Sequence, residues 1–291
     1  MLAAVWVNGK RQPATALHVS ARDRGLTLAD GLFETMRAHD GAVFRLDRHL
    51  ARLQRSLATL AIAAPPDLRD WVLAAVPDAA EGAASIRLTV TRGVGAAGVA
   101  PPSDAEPTVL VTVTSFPLFP RSVYEQGLTI HVASGRRNEH AMTAGLKTTA
   151  YTDAIVALLE GRRAGADDAL FLDTAGHCSE ATSSNLFVRA GGILLTPPTS
   201  CAALPGVTRE AVLEIARGMG VTAAERPLGL DELLGADEAF LTSSLRGIAP
   251  IANVGGRALG AGAPGELTRA VSAAYAALVE RECGRGRQVV P

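Results

Sequence analysis

The sequence predicts a two-domain protein of mixed α/β class. Two patterns carry this expectation. Strand-like alternation and helix-like spacing of apolar residues occur in both halves, and a two-proline stretch, SFPLFPRS at 115–122, stands between them. The chain has 291 residues, 48% hydrophobic and 20% charged, as in a globular protein of one large or two modest domains, and is long enough to bury a real core. The expected division is a small N-terminal α/β domain at 1–114, a linker at 115–122 and a larger C-terminal domain at 123–291.

The elements follow in order. A strand hairpin opens the chain, with Asn8-Gly9 as its turn, before the loop ARDRGLTLADG and a short strand in LFETMRAHDG. A helix comes next, with Asp47 as its N-cap. Leu46, Leu50, Leu53, Leu57 and Leu60 form one apolar stripe, and Arg48, Arg52 and Arg55 lie off it. After Pro65-Pro66 a second helix is expected at about Leu68 to Val76, and SIRLTVTRG and TVLVTVTSF read as paired strands. Beyond the linker come the strand LTIHVAS, a helix from about Thr149 to Arg163, the strand ALFLD and a Ser-rich turn. The hairpin NLFVRAGGILLT, a helix from Thr208, another near Asp231, the strand AFLTS, a C-terminal helix and a polar end, GRGRQVVP, complete the chain. Gly93-Val94-Gly95-Ala96-Ala97-Gly98 matches GxGxxG literally, but VAPPSDAEP follows. A dinucleotide site needs that motif to open a helix, so this one is read as a loop.

Composition narrows the function. With 28 Lys+Arg against 29 Asp+Glu there is no basic excess for nucleic acid or an anionic membrane, and no apolar run is long enough to span one. The start lacks the pattern of a secretory signal, and a cytoplasmic protein is expected. Cys178, Cys201 and Cys283 are far apart without CxxC spacing and read as buried small hydrophobes. The six histidines show no metal-ligand spacing, so no metal site is expected. Only two of the basic residues are lysines, Lys10 and Lys147. Where a coding bias toward arginine has left a lysine, amine chemistry is a candidate. Lys10 decorates the first hairpin, whereas Lys147, in AMTAGLKTTAYTDA, has no local counter-ion and suits either a tertiary salt bridge or Schiff-base chemistry.

Two further segments suit chemistry. Leu204-Pro205-Gly206-Val207-Thr208-Arg209 directly precedes a helix, so Gly206 permits close backbone approach and the first-turn N–H groups with the Thr208 hydroxyl fit either a phosphate or an ordinary cap. Thr242-Ser243-Ser244 adds hydroxyls at a strand end. Glu180, followed by small hydroxyl residues, fits a solvated turn or a group that holds a proton on a heterocycle.

Together these blocks resemble the fold-type IV (class IV) pyridoxal-phosphate enzymes, among them branched-chain and D-amino acid aminotransferases, (R)-amine transaminases and aminodeoxychorismate lyases. The resemblance covers nearly the whole chain. It rests on DRGLTLADGLFETMR, FRLDRHLARL, LKTTAY, SEATSSNLF, TPP with LPGVTRE, and FLTSSLRGIAPI, all in family order. It implies that Lys147 forms the Schiff base with pyridoxal 5′-phosphate and shuttles the proton, and that Glu180 keeps the pyridine nitrogen protonated. Arg52, Gly206, Val207, Thr208, Ser243 and Ser244 are implied for the phosphate, Leu204 for the ring, and Phe33, Thr35 and Arg37 for the substrate pocket. It also implies a homodimer that completes the pocket. Three positions depart from the pattern. Ala29-Asp30-Gly31 replaces Gly-Asp-Gly, Ala181 stands where many relatives have glycine, and Ala97-Gly98-Val99 occupies the place of the Arg-x-His carboxylate trap of D-amino acid aminotransferases. An α-carboxylate must then be held elsewhere, with Arg37, Arg92 and Arg246 as candidates. The expected activity is transamination between a D-amino acid, with primary (R)-amines as a second donor class, and a 2-oxo acid. Aminodeoxychorismate lyase and branched-chain L-amino acid aminotransferase are the alternatives, followed by a cofactor-free binding protein.

Overall fold

The computed structural model describes residues 2–284, apart from 14, 17, 79–81 and 263. Residues 285–291 of the polar end lie outside the described residues. Two compact units emerge. The first takes the described residues of Met1–Pro117, Leu146–Ala150 and Val279–Val289, and the second those of Leu118–Gly145 and Tyr151–Leu278. Lys147 therefore clusters with the first unit, although the sequence reading set it within the 123–291 domain.

The first unit is built on β1 (Leu2–Val7), β2 (Lys10–Gln12), α1 (Arg24–Leu28), β3 (Gly31–His39), β4 (Ala42–Val43), α2 (Leu46–Thr59), α3 (Leu68–Ala75), β5 (Ala83–Thr91) and β6 (Thr108–Ser115). Its strands form an antiparallel sheet in the order β2-β1-β6-β5-β3-β4. The leucine stripe of α2 packs with Leu68 and Val72 of α3 on one face of this sheet, against Leu32 and Met36 of β3, Ile86 and Leu88 of β5, and Val111 and Val113 of β6. Strand alternation sends Phe33, Thr35 and Arg37 to the other face.

Local chemistry corrects several expectations here. The loop 21–31 contains α1, because Asp23 caps it by accepting the Gly25 N–H at 2.8 Å. Ala29 ends α1 at φ 53, a left-handed position that glycine occupies more easily. The strand after it is nine residues long, not short. Asp47 is not the N-cap of α2: Arg45, at φ 53, is, and Asp47 sits in the first turn, where its charge still complements the helix dipole. The GxGxxG match runs into loop, with Val94 bridged to Asp23.

The second unit holds α4 (Arg121–Glu125), β7 (Leu128–Arg137), α5 (Thr152–Arg163), β8 (Asp168–Asp173), β9 (Cys178–Ala181), β10 (Asn185–Ala190), β11 (Ile193–Thr196), α6 (Val207–Gly218), β12 (Ala223–Glu225), α7 (Leu230–Leu234), β13 (Glu238–Ser243), β14 (Gly247–Val254), β15 (Arg257–Ala258) and α8 (Glu266–Cys283). The last turns of α8, from Val279, cluster with the first unit. The sheet runs β12-β11-β10-β13-β14-β7-β8-β9, with β15 on β14, and a β9–β10 pairing at Glu180↔Asn185 closes six of these strands into a ring. Leu170, Leu172, Leu186, Val188, Leu241, Ala249 and Ile251 share its core.

Differences again have local causes. α4 begins inside the proline-rich 115–122 stretch. α5 starts at Thr152 rather than Thr149; the Thr149 N–H is donated to Gly31 C=O at 2.9 Å and its segment pairs with β3 through the Leu32–Thr148 bridge. Strand β14 was not foreseen, since it contains Pro250. The proline fits because pairing with β7 begins only at Ile251, one residue past the missing N–H.

Candidate active site

The segment around Lys147 is held by backbone. Phe33 N–H donates to Lys147 C=O at 2.9 Å, Leu32 pairs with Thr148, and the Thr149 hydroxyl donates to Ala29 C=O at 2.9 Å. The segment thus lies along the first half of β3, and the half-buried Lys147 places Nζ 4.6 Å from the Phe33 ring centroid. An ammonium over an aromatic face is favoured by the ring quadrupole. The Arg87 guanidinium also lies against Phe33, at 3.6 Å. Further along the same face of β3, Thr35 is half-buried, and Arg37, almost fully buried, stacks over Phe116 at 4.7 Å.

The opposite face of β3 carries a charged group among apolar neighbours. Glu34 is 1% exposed and accepts from Arg52 Nε at 2.8 Å and from a second Arg52 nitrogen, while His49 Nδ1 lies 2.7 Å from its other oxygen. Burial works to raise the Glu34 carboxyl, but the Arg52 charge and the hydrogen bonds from His49 and Arg52 outweigh it and lower it to about 2. Burial also lowers His49, against the pull of Glu34. Glu34 and His49 fix the Arg52 guanidinium and were missed from sequence. The visible signal is the alternation Leu32, Glu34, Met36, Ala38, which puts a carboxylate on a core-facing register.

In the second unit Glu180 is anchored at the closure of the ring. Its Oε2 accepts the Leu204 N–H at 2.9 Å and the Asn185 amide at 3.2 Å, and Arg137 lies 3.6 Å from Oε1. The same Asn185 amide donates to Leu204 C=O at 2.8 Å. Asn185 and Arg137 are thus a second pair that sequence reading did not single out. Gly206 is the N-cap of α6, with no side-chain cap, and a Cβ there would lie 2.0 Å from Asn185 Oδ1. Val207 and Thr208 are buried in the first turn. Arg209 is fastened by Pro197 C=O at 2.9 Å and Glu225 at 2.6 Å. Ser243 and Ser244 are half-buried, and Ser243 Oγ accepts the Arg246 N–H at 3.2 Å.

The three carboxylate candidates differ in their commitments. Arg92 makes four hydrogen bonds, two to Asp30 at 2.8 and 3.1 Å and one each to Leu60 C=O at 2.8 Å and Ala61 C=O at 2.9 Å. It clamps the end of β5 to the end of α2. Arg246 pairs with buried Asp168 at 3.1 Å, where the Thr182 hydroxyl also donates, and so fixes the turn after β13. Arg24 holds Asp30 at 2.9 Å and three successive carbonyls, Gly98, Val99 and Ala100, which makes it the anchor of the loop that lacks the carboxylate trap.

The first unit offers a half-buried amine over an aromatic ring, and the second an anchored carboxylate and a helix N-terminus without a side-chain cap. The model of the amino-transferase class IV family matches residues 31–254, and the chain belongs to that family. A Methanocaldococcus jannaschii protein provisionally named a branched-chain-amino-acid aminotransferase is 34% identical over 269 residues, 91% of this chain and 92% of that protein. The D-alanine aminotransferase of Bacillus licheniformis is 29% identical, over 93% and 95% of the two chains. The crystal structure of 4-amino-4-deoxychorismate lyase from Pseudomonas aeruginosa superposes with a TM-score of 0.82 at 35% identity, covering 96% of this chain and 98% of that one. The fold is that of the fold-type IV enzymes, and the cofactor is pyridoxal 5′-phosphate.

The residues fit this group. The first turn of α6, without a side-chain cap, supplies N–H groups suited to a phosphate, and Asn185 fills the space a Gly206 Cβ would take, so a side chain at 206 would collide with it. When bound, the cofactor supplies an electron sink for bond breaking at the substrate Cα.

Proposed function

We propose that this enzyme is a D-amino acid transaminase, exchanging an amino group between a D-amino acid and a 2-oxo acid and taking primary (R)-amines as a second donor class. Lys147 supplies the amine that binds the cofactor aldehyde and then carries the proton at the substrate Cα. Glu180, held by Leu204 and Asn185, keeps the pyridine nitrogen protonated. Arg52, Gly206, Val207, Thr208, Ser243 and Ser244 hold the phosphate, and Leu204 covers the ring. Phe33, Thr35 and Arg37 line the substrate side. The observation that carries the reading is the shared face of β3, where Arg37 stands two strand repeats from the Phe33 ring that bears the Lys147 amine. Full-length similarity to a D-alanine aminotransferase supports it. The active form is proposed to be a homodimer.

Similarity to the Pseudomonas lyase and to the archaeal protein supports two further readings, pyruvate elimination from aminodeoxychorismate and transamination of branched-chain L-amino acids. One experiment separates the three. The yellow holoenzyme is mixed with each donor in the absence of a keto acid. D-Alanine is expected to bleach it and release pyruvate stoichiometric with enzyme, and Lys147→Ala is expected to fold but remain inert. Bleaching by L-leucine alone, or catalytic pyruvate release from aminodeoxychorismate with the colour retained, assigns the enzyme to the other activities.

A further inference from the structure

The second unit gathers a carboxylate, an imidazole and a thiol that the chemistry above does not use. After β8 the chain turns back on itself, so that Asp173 accepts the His177 backbone N–H at 2.7 Å and faces His177 Nδ1 at 3.2 Å. Cys201 closes a short turn at Thr199–Cys201, and its thiol is hydrogen-bonded to the same Asp173 carboxylate. One oxygen, one nitrogen and one sulfur from these residues all lie within 4.8 Å of one another. No sequence spacing reveals the cluster, because its arms come from separate elements.

The environment favours a cation. Asp173 and Cys201 are both 2% exposed, and among the described residues the only ion-pair partner of Asp173 is His177. Buried carboxylates are held by a paired charge or a metal, and among the described residues no arginine or lysine forms an ion pair with Asp173. Glu139, bonded to the Thr174 hydroxyl at 2.6 Å, adds negative charge beside the cluster. The His177 side chain is 42% exposed, which leaves an entry path and room for a water ligand.

We propose that Asp173, His177 and Cys201 form a binding site for a divalent cation of borderline softness, with the coordination chemistry of zinc(II). Carboxylate oxygen, imidazole nitrogen and thiolate sulfur are all ligands of that ion, and three protein ligands leave one position for water. On binding, the thiol proton passes to solvent and a sulfur–metal bond replaces the S–H hydrogen bond to Asp173. No electron is transferred. Both arms lead to the Glu180 anchor: His177 adjoins β9, which carries Glu180, and Cys201 lies three residues before Leu204. The cation therefore staples two segments that meet at Glu180.

The test titrates the metal-stripped, tag-free holoenzyme with Co2+ and reads ligand-field absorption in the red, clear of the cofactor colour. A tetrahedral, thiolate-containing spectrum that saturates at one ion per chain and is displaced by Zn2+ is expected. Cys201→Ser should abolish it, His177→Ala should weaken binding by more than about tenfold, and Cys283→Ser should retain it. Zn2+ should also raise the melting temperature of the wild type but not of Cys201→Ser. Absence of the red bands in the wild type, or the same spectrum in Cys201→Ser, overturns the proposal. Should Cys201→Ser lose its fold, unchanged Co2+ affinity in the solvent-facing variant His177→Ala overturns it equally.

Discussion

A buried carboxylate survives in a sheet only where its charge is answered at close range, and Glu34 meets that condition through Arg52 and His49. The Glu34 carboxyl is held below the ordinary 4.5 and the His49 imidazole below 6.5, so the unfolded chain binds more protons than the folded one once the pH drops. Stability from this cluster is complete near neutrality. It falls as pH passes down through 6.5 for His49 and from 4.5 toward 2 for Glu34. Urea midpoints measured between neutral pH and the acid limit should therefore decline more steeply in the wild type than in Glu34→Gln, although that variant is less stable throughout. Parallel declines would show that the cluster carries no linkage. The neighbouring face of the same strand bears on specificity. Losing a charge-assisted contact to an α-carboxylate costs about 1.5–3 kcal/mol, so Arg37→Ala should raise KM for D-amino acids by about tenfold to a hundredfold. KM for a carboxylate-free (R)-amine should barely move, and equal effects on both donors would remove Arg37 from carboxylate recognition.

At the scale of elements, the start of α6 is where packing decides function. Asn185 uses one amide to reach both Glu180 and Leu204 C=O, so a methyl group at position 206 can be accommodated only by moving Asn185 off these bonds. Gly206→Ala should weaken pyridoxal-phosphate retention by about tenfold or more, measured by dialysis and absorbance, in line with the loss of about 1–3 kcal/mol of buried hydrogen bonding. Gly218→Ala, at the other end of the same helix and facing open space, should leave retention unchanged and stabilise slightly. Much of this was legible in sequence. The period of the α2 leucines, the paired strands β5 and β6, the rarity of lysine and the glycine before α6 are local signals, and local physics produces them. Glu34, Asn185, Arg24 and the clamping role of Arg92 were not legible, since their partners lie on other elements and only tertiary pairing joins them. Pro250 hid β14 for the same reason: whether a strand tolerates proline depends on the register of its neighbour.

For the molecule as a whole, the exposed side of α5 bears on assembly. Ile155, Val156 and Leu159 are 56%, 58% and 44% exposed and fall on one side of that helix by their three- and four-residue spacing. Met142 is 95% exposed. The homodimer proposed above would bury this face against a second copy. Sedimentation at micromolar concentration should then give twice the 30.1 kDa chain mass. A charge buried in an apolar interface is costly, so Val156→Arg should shift the protein to the monomer while leaving its far-UV spectrum intact. If the pocket is completed by the partner, transamination should fall together with the dimer fraction as the variant is diluted. A wild type that sediments as a monomer at full activity would refute both the interface and the shared pocket.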